Sequence, residues 1–476
     1  MDRAAYLENA FLHSLQYPPT PCQEGFLRAC AEFLTSDEGD ILVVNGYAGT
    51  GKTTALAAVI GVLQEVKVPC VLLAPTGRSA KVLSQYAGRP CSTIHKHIYR
   101  QKSHGDDGFG QFSLSPNKAR HTLFIVDEVS LIGTDTSAGR QGSGQFGSGN
   151  LLDDLVRFVR SGAECKLVLV GDDAQLPPVG LEASPALCPP LMDGYGGVRH
   201  VRLHTVVRQA ENSGILRNAT RVRRLLEGLD APLELSELQL ETAPDVERLA
   251  GGELIETLSA AYDRYGEDET MVLCRSNKRA NRYNAGIRAQ VLFREERLVR
   301  GEKLMIVKNC YQFVDDLEGT DYIANGDMAR LVWIRHFEER YGLQFADACL
   351  SLPDYGKQEI EAKVLLDTLE AEAPSLGYEQ SNQLYQGVSE DYAHLSTKKK
   401  RYDAVREDPF FNALQIKYAH AITCHKAQGG QWKCIFIDNP FWQDALLPDD
   451  LKWLYTALTR AVEKVYLVNF KDTLFR

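Results

Sequence analysis

The sequence predicts an α/β fold with two parallel sheets, because short apolar runs alternate with segments long enough to form crossover helices. In the first half of the chain, the runs lie at residues 41–44, 71–73, 123–126 and 167–170. A second set, at residues 271–273, 435–437 and 465–468, predicts another α/β domain in the C-terminal half. A chain of 476 residues is also too long for one ordinary core and suits two to four domains. Two sheets in one chain imply a cleft between them.

The overall composition excludes several classes of protein. With 44% hydrophobic and 24% charged residues, it is typical of a soluble globular chain. No apolar run reaches the roughly 18 to 20 residues that a membrane-spanning helix needs, and the N-terminal residues lack the pattern of a signal peptide. The 11 cysteines include no C-x-x-C pair, which argues against a zinc ribbon and favours buried thiols in a reducing compartment. We therefore expect a cytoplasmic protein that does not contact a membrane.

Charge is unevenly distributed along the chain. A net charge of −10 is unfavourable for binding nucleic acid, since neutralising phosphates supplies most of the sequence-independent affinity. Residues 66–105 and 409–437, however, contain no Asp or Glu; the first window carries Lys and Arg, and the second carries Lys. Each window could be a solvated basic face, or the two could line a basic channel in an otherwise acidic protein.

A phosphate-binding motif follows the first predicted strand. The segment GYAGTGKT, residues 46–53, matches the pattern G-x-x-x-x-G-K-[ST] directly after a strand and before a helical pattern. In this context backbone N–H groups surround the β-phosphate, Lys52 reaches the β- and γ-phosphates, and the Thr53 hydroxyl binds Mg²⁺. The residues predicted to bind nucleotide here are Gly46, Ala48, Gly49, Thr50, Gly51, Lys52, Thr53 and Thr54.

Two further loops supply the polar groups that hydrolysis requires. The third predicted strand ends in Asp127 and Glu128, at the edge of the sheet where α/β proteins bind ligands. Asp127 is predicted to hold Mg²⁺ together with Thr53, and Glu128 to polarise the attacking water. After the fourth predicted strand, Gln175 is predicted to detect the γ-phosphate or its water. The sequence thus predicts an ATP site with Mg²⁺ as its metal ion.

Three later blocks complete a family pattern. Residues 207–209 read VRQ and precede a helical pattern, residues 418–430 read YAHAITCHKAQGG, and residues 455–461 read YTALTRA. Together with the three earlier motifs, in this order, they closely resemble the RecD-like and Dda-like helicases of superfamily 1, subgroup B, over nearly the whole chain. The resemblance implies two RecA-like P-loop domains with a β-hairpin pin insertion and an SH3-like β-barrel insertion.

The resemblance also implies roles around the nucleotide. Arg208 and Arg460, from the second domain, would clamp the γ-phosphate from the side opposite Lys52, as arginine fingers supplied within one chain. Near the N-terminus, Gln23 matches the segment that reads adenine in the family; the alternative is a helix-capping Thr20 with an exposed Gln23. The implied catalytic residues are Lys52, Glu128, Gln175, Arg208 and Arg460.

For nucleic acid, the resemblance implies contacts from both domains. The matching residues are Pro75, Thr76, Arg78, Thr93 and His95 in the first domain, and Asn277, Thr423, His425 and Lys426 in the second. In the predicted hairpin, Phe109 and Phe112 could stack on a base at the fork or pack against the protein instead. A metal site at His95 and His97 is disfavoured, because no acidic ligand and no C-x-x-C pair lies near them in the sequence.

Domain boundaries follow from the motifs. Residues 1–206 are expected to form the first RecA-like domain, with the pin insertion at about 100–120. Residues 207–329 and 412–476 are expected to form the second, and residues 330–411 the SH3-like insertion. Residues 356–373, inside this insertion, form an acidic stretch that we expect to be helical. Residues 133–150 form a Gly- and Ser-rich loop.

The favoured interpretation is an ATP-dependent 5′-to-3′ translocase on single-stranded DNA and a DNA helicase, with the polarity implied by the resemblance alone. Two alternatives stay open, namely an RNA helicase or remodeller of the same group and a non-motor P-loop ATPase such as a switch or a kinase. The expected partners are single-stranded DNA, single/double-strand junctions, and single-strand-binding, replication or repair proteins. We expect a monomer associated with the nucleoid.

Overall fold

The protein consists of two parallel sheets, a closed barrel and short two-stranded pairs. The computed structural model describes residues 3–101, 112–133, 147–207, 213–228, 231–310, 312–313, 317, 323–443 and 445–476. Phe109, Arg208 and most of the loop at 133–150 lie outside these residues. The predicted fold class, α/β with two RecA-like lobes, a hairpin insertion and a barrel insertion, is confirmed.

The first lobe is built on a six-stranded parallel sheet. Its strands are β1 (Ile41–Gly46), β2 (Cys70–Ala74), β3 (Cys91–Thr93), β6 (Leu123–Val126), β7 (Lys166–Gly171) and β8 (Val198–Leu203). Its helices are α1 (Arg3–Ser14), α2 (Pro21–Thr35), α3 (Lys52–Glu65), α4 (Gly77–Ala87), α5 (Ile94–Ile98), α6 (Leu151–Arg160) and α7 (Pro189–Asp193). The spatial order β3-β2-β6-β7-β1-β8 makes the loops after β6, β7 and β1 neighbours at one edge.

Burial on both faces explains why the apolar runs form the central strands. All four residues of β6 are buried, as are the first four of β1. One face of the sheet packs against Phe26 of α2 and Leu56 of α3, and the other against Phe158 of α6. A strand covered on both sides has no solvated face, so its sequence is continuously apolar instead of alternating.

The second lobe is a five-stranded parallel sheet in the order β10-β20-β18-β11-β17. These strands are β10 (Val246–Leu249), β11 (Thr270–Cys274), β17 (Ala421–Thr423), β18 (Trp432–Asp438) and β20 (Ala461–Val468). The helices are α8 (Gly214–Glu227), α9 (Leu254–Tyr265), α10 (Asn277–Gly286), α13 (Cys424–Ala427) and α14 (Pro448–Leu458), and β9 (Leu233–Glu234) pairs with β19 (Ala445–Leu446). Its core also contains Tyr47, Ala174 and Leu176 of the first lobe, so the lobes share an apolar contact beside the P-loop.

The barrel is larger than the insertion that the sequence predicts. Its strands are β12 (Lys303–Ile306), β13 (Met328–Arg340), β14 (Leu343–Leu352), β15 (Gln358–Leu365) and β16 (Leu414–Tyr418), with α11 (Tyr378–Asp391) and α12 (Lys398–Glu407) between the last two. Because β12 and β16 pair with each other to close it, the barrel extends beyond residues 330–411 at both ends. The expected helix at 356–373 is wrong, since β15 occupies residues 358–365 and turns follow it.

A short hairpin leaves the first lobe after α5. Its strands are β4 (Tyr99–Gln101) and β5 (Phe112–Leu114), which pair antiparallel with Gln101 opposite Phe112. The residues between them, including Phe109, lie outside the described part of the chain. Phe112 therefore belongs to a strand at the base of the hairpin and not to its tip.

Two expectations drawn from composition can be compared with the structure. Within the described residues, no helix combines the length and the apolar character needed to cross a membrane. All 11 cysteines are free thiols, and seven of them are buried, as the absence of paired spacings suggested.

A buried ion cluster joins the second lobe to the barrel. Glu302, which is fully buried, accepts hydrogen bonds from Arg288 at 3.1 Å and from Arg294 at 3.0 Å, and His420 lies 3.6 Å away. Burial alone would raise the pKa of Glu302, but His420 and the two arginines outweigh it and lower the pKa to about 2. The carboxylate therefore remains charged in the folded protein at neutral pH.

We expect Glu302→Gln to lower the free energy of unfolding by about 3 kcal/mol, because among the described residues it leaves buried Arg288 without a carboxylate partner and leaves Arg294 with Glu267 alone, at 3.5 Å. Since the pKa of Glu302 is lower in the folded protein, its contribution is full above about pH 4.5 and is lost as the pH falls towards 2. Urea unfolding at pH 7 and at pH 3 measures both effects. Glu361→Gln, at an exposed position on β15, is the control and should leave stability within about 0.5 kcal/mol of wild type; an equal loss in both variants would contradict the assignment.

Candidate nucleotide site and nucleic-acid track

The P-loop connects β1 to α3 through glycines at positions where a side chain would be strained or crowded. Gly49 and Gly51 have φ values of +76° and +75°, in the left-handed region that side chains disfavour. A Cβ atom on Gly51 would also lie 2.3 Å from Nε2 of Gln23, and one on Gly46 would lie 2.7 Å from the Lys52 side chain. The loop therefore presents bare backbone at the N-terminus of α3, where the helix dipole favours an anion.

Lys52, at the start of α3, is held inside this loop. Its Nζ donates to the carbonyl of Gly46 and lies 3.8 Å from Oδ2 of Asp172, which is 1% exposed. Thr50 is fully buried and donates to the carbonyl of Tyr47 at 2.7 Å, which fixes the curve of the loop. Thr53 and Thr54 follow on the first turn of the helix. The predicted nucleotide-binding residues from Gly46 to Thr54 thus form one continuous cradle.

Gln23 combines features of both sequence interpretations. The Thr20 hydroxyl caps α2, and Gln23 completes the capping box by accepting from the N–H of Thr20 at 2.9 Å. Gln23 is nevertheless only 6% exposed, and its Nε2 lies 3.5 Å from the carbonyl of Gly51. The expectation of an exposed side chain is therefore wrong. Recognition of adenine by Gln23 stays a prediction.

Asp127 and Glu128 follow β6 at the same edge of the sheet. The N–H of Glu128 donates to Oδ1 of Asp127 at 2.8 Å, and Glu128 itself has a φ of +55°. Loss of solvent, and less strongly the charge of Glu128, raise the pKa of Asp127 to about 7. Ionising Asp127 beside Glu128 is costly, and a divalent cation would offset that cost, so the pair fits a site that binds such an ion. Its oxygen and the Thr53 hydroxyl are ligands that Mg²⁺ prefers.

Gln175 lies in the loop after β7, between the two lobes. It is 5% exposed, and its Oε1 is buried without a hydrogen-bond partner among the residues that the structure describes. A buried amide oxygen normally has a partner, so this atom is suited to a ligand or to water in the site. Asp172, three residues earlier, contacts Lys52 but was not singled out from the sequence.

Arg460 is a buried cation at the end of α14. It is 4% exposed and donates to the carbonyls of Thr456 and Gly430 and to the Thr459 hydroxyl, at 3.2 to 3.3 Å. Within the described chain, no carboxylate lies at ion-pair distance from it. A buried guanidinium with neutral partners alone is costly, which suits it to an incoming anion.

The other predicted finger, Arg208, lies outside the described residues. Its neighbour Val207 donates from its N–H to the carbonyl of Gly49 at 2.9 Å, so the chain enters this segment beside the P-loop. Contact of either arginine with the γ-phosphate stays a prediction.

The predicted nucleic-acid residues of the first lobe lie where β2 and β3 end. The hydroxyls of Thr76 and Thr93 cap α4 and α5, accepting from backbone N–H groups at 3.2 and 3.3 Å. The caps use each hydroxyl oxygen as an acceptor, whereas the predicted phosphate contacts would use its proton. Pro75 precedes Thr76 at the end of β2. Burial lowers the pKa of His95 to about 4, so this ring is neutral at pH 7 and cannot form an ion pair with phosphate. Arg78 stacks on Trp432 of the second lobe, 4.2 Å from the ring centroid.

In the second lobe, the predicted residues occur at the ends of β11 and β17. Thr423 begins the turn into α13, which carries His425 and Lys426, and Asn277 is the half-buried first residue of α10. The Lys426 amine donates to the Asn325 side chain at the edge of the barrel, and burial with the nearby charge of Lys417 lowers the pKa of Lys426 to about 8. Lys426 thus remains mostly charged at pH 7.

A groove runs beside these motifs on the first lobe. Its volume is about 820 Å³, and its lining includes Lys81, Arg89 and Lys96 together with Tyr355 of the barrel. The basic lining agrees with the first acid-free window of the sequence. Phe112 packs against the apolar core of the first lobe, which favours the packed alternative for this residue.

Comparisons with known proteins agree with this arrangement. The family described as an AAA domain matches residues 23–139, and the UvrD-like helicase C-terminal domain matches residues 418–468. The ATP-dependent RecD2 DNA helicase of Deinococcus radiodurans is 32% identical over 202 residues, which are 42% of this chain and 24% of that protein. The ATP-dependent DNA helicase dda of Enterobacteria phage T4 is 23% identical over 447 residues, or 90% of this chain and 94% of that protein.

Among solved structures, that of the Pif1 helicase from Bacteroides in complex with ADP-AlF3 and ssDNA aligns with a TM-score of 0.48 and 16% identity, over 97% of this chain and 95% of that chain. This chain spans about a quarter of the RecD2 relative. Fold and site together define a P-loop protein with two RecA-like lobes. The matched families and helicase relatives confirm the predicted resemblance to the RecD-like and Dda-like helicases of superfamily 1B.

Proposed function

We propose that the chain is an ATP-dependent, 5′-to-3′ translocase on single-stranded DNA and a DNA helicase, hydrolysing ATP to ADP and phosphate between its lobes. The observation that carries the proposal is the contact between α14 and the P-loop, where the N–H of Ala48 donates to the Tyr455 hydroxyl at 2.8 Å. Because α14 leads into Arg460, a nucleotide in the P-loop would act on both lobes at once. The names of the RecD2 and dda relatives, both ATP-dependent DNA helicases, support the same activity.

Hydrolysis would use residues of both lobes. Lys52 would neutralise charge on the β- and γ-phosphates, and Glu128 would orient the attacking water. Arg460 and Arg208 would stabilise the charge that develops on the γ-phosphate, from the second lobe. Mg²⁺, held by Thr53 and Asp127, would supply further charge neutralisation when bound. Loss of the γ-phosphate would then remove the anion that draws the lobes together.

Movement along the strand would come from two nucleic-acid contacts, one on each lobe, whose distance from each other changes as the lobes close and open. The first lobe offers the basic groove beside α4, and the second lobe offers α13 with Lys426 and the start of α10. Arg78 already bridges the lobes by stacking on Trp432. If closure with ATP and opening after hydrolysis alternate the affinities of these contacts, the strand is passed from one to the other. The polarity is proposed from the superfamily 1B resemblance.

The test is strand displacement with ATP and Mg²⁺ on duplexes that carry either a 5′ or a 3′ single-stranded tail, in DNA and in RNA. We expect displacement of 5′-tailed DNA alone, with ATP hydrolysis stimulated by single-stranded DNA. ADP in place of ATP is the control for unwinding without hydrolysis. Displacement of RNA alone would favour the RNA helicase alternative. Hydrolysis that is indifferent to both polymers would favour a non-motor ATPase and refute the proposal.

The two-lobed site also bears on the proposed oligomeric state, substrates, partners and location. Both sides of the ATP cleft come from one chain, which supports a monomeric motor. Single-stranded DNA and single/double-strand junctions are the proposed substrates, with single-strand-binding, replication or repair proteins as partners. We propose a cytoplasmic, nucleoid-associated location, where these substrates and partners would be available.

A further inference from the structure

A tyrosine of the second lobe reaches the centre of the ATP site. Tyr455, on α14, is 1% exposed, and its hydroxyl lies between two groups of the first lobe. It accepts from the N–H of Ala48 and donates to Oδ2 of Asp172, both at 2.8 Å. The same Oδ2 lies 3.8 Å from Nζ of Lys52. One hydroxyl thus connects the P-loop backbone and, through Asp172, the P-loop lysine to the second lobe.

The chemistry of the site fixes the direction of these hydrogen bonds. Burial and the adjacent charge of Asp172 raise the pKa of Tyr455 well above its usual range, so the hydroxyl keeps its proton. That single proton goes to Asp172, while the oxygen is free to accept from Ala48. Asp172 also accepts from the N–H of Ala174 at 3.1 Å, which ties the loop after β7 to the same centre.

A second link lies one residue along the helix. The Thr456 hydroxyl, which is fully buried, accepts from the N–H of Leu176 at 2.8 Å. The carbonyl of Leu176 accepts from Nε2 of Gln428 at 2.7 Å, and Gln428 directly follows α13 with its Lys426. The residue next to Gln175 is therefore held between α14 and the segment proposed to contact nucleic acid.

We infer that Tyr455 and Thr456 are positioning residues that couple the nucleotide state of the P-loop to the nucleic-acid segment at α13. The inference rests on the proposed function. A γ-phosphate bound near Lys52 weakens the attraction of that amine for Asp172, so the loop that carries Asp172 and Leu176 shifts. The hydroxyls of Tyr455 and Thr456 move with this loop because they are hydrogen-bonded to it. The hydrogen bonds Tyr455–Asp172 and Leu176–Thr456, both 2.8 Å long, transmit this shift. Their donors and acceptors are buried, so water cannot replace either partner. Neither hydroxyl needs to touch the substrate.

The test compares Tyr455→Phe with wild type in ATP hydrolysis, with and without single-stranded DNA, at saturating ATP. We expect the DNA-stimulated kcat to fall about tenfold, which corresponds to one lost hydrogen bond to a charged acceptor. The DNA concentration that gives half-maximal stimulation should stay within about twofold, because no DNA contact is removed. Tyr466→Phe is the matched control, since Tyr466 lies on β20 with its ring stacked on Phe436 at 4.7 Å.

Thr456 provides an independent measurement if Tyr455→Phe is unstable. Thr456→Val removes the acceptor and should reduce the stimulated kcat, whereas Thr456→Ser keeps the hydroxyl and should restore it. If DNA stimulates ATP hydrolysis in the wild type and to the same extent in Tyr455→Phe and Thr456→Val, this inference is wrong, but the proposed function stands. A wild type whose hydrolysis does not respond to nucleic acid would overturn the proposed function and this inference with it.

Discussion

Lys52→Ala is expected to abolish ATP hydrolysis, with kcat reduced by about 10³-fold or more. The Lys52 amine lies at the N-terminus of α3, donates a hydrogen bond to the carbonyl of Gly46 and lies 3.8 Å from Asp172. Lys52 is the cationic side chain of the GYAGTGKT segment. Its removal leaves the developing charge on the γ-phosphate without its counterion in the first lobe. It also removes the one ion-pair partner that the buried Asp172 has among the described residues. Steady-state release of phosphate at saturating ATP and DNA measures the loss.

A matched control separates this effect from a general loss of charge. Lys433→Ala removes a half-exposed lysine of β18 that pairs with Glu463 at 3.9 Å, and should leave hydrolysis unchanged. Strand displacement should disappear in Lys52→Ala along with hydrolysis, while binding to single-stranded DNA without nucleotide should persist. Normal turnover in the Lys52 variant would contradict the role of the P-loop.

The sequence was sufficient to predict that the loops of the candidate nucleotide site lie together, because each loop is recognised from neighbouring residues. The GYAGTGKT segment, the acids after β6 and the loop after β7 each follow an apolar run, and the ends of parallel strands meet at one edge. Local sequence does not show which distant residue each side chain contacts in the folded protein. Tyr455 contacts Ala48 across 407 residues and Asp172 across 283, so no spacing rule could connect them.

The barrel shows a second limit, where the period of the pattern was misread. In β15, Ile360, Ala362 and Val364 are buried, and the residues between them are charged. This alternation with a period of two is typical of a half-buried strand, but the acidic content favoured a helix. The barrel bounds failed for another reason, because β12 and β16 are short and far apart in sequence. Their pairing only exists once the chain has folded.

Arg460→Ala is expected to reduce kcat by about 10³-fold, within the range that arginine fingers contribute in other nucleotide hydrolases. The side chain is 4% exposed, and its hydrogen bonds go to two carbonyls and one hydroxyl, so its charge has no carboxylate partner in the described chain. A γ-phosphate would complete this environment. Arg460→Lys should recover little activity, because the compact ammonium cannot reproduce the planar fork that grips two phosphate oxygens. Single-turnover hydrolysis measures the chemical step directly.

ADP affinity distinguishes a finger from a structural arginine. ADP has no γ-phosphate, so Arg460→Ala should bind it within about threefold of wild type while losing hydrolysis. A collapse of the lobe would instead weaken ADP and DNA binding together and lower the melting temperature. Arg335→Ala is the control, since this residue stacks on Trp333 in the barrel at 4.1 Å, far in sequence from the P-loop. If Arg460→Ala hydrolysed ATP within tenfold of wild type, the second lobe would not act on the γ-phosphate through this residue, and coupling would have to depend on Arg208 and the Tyr455 link.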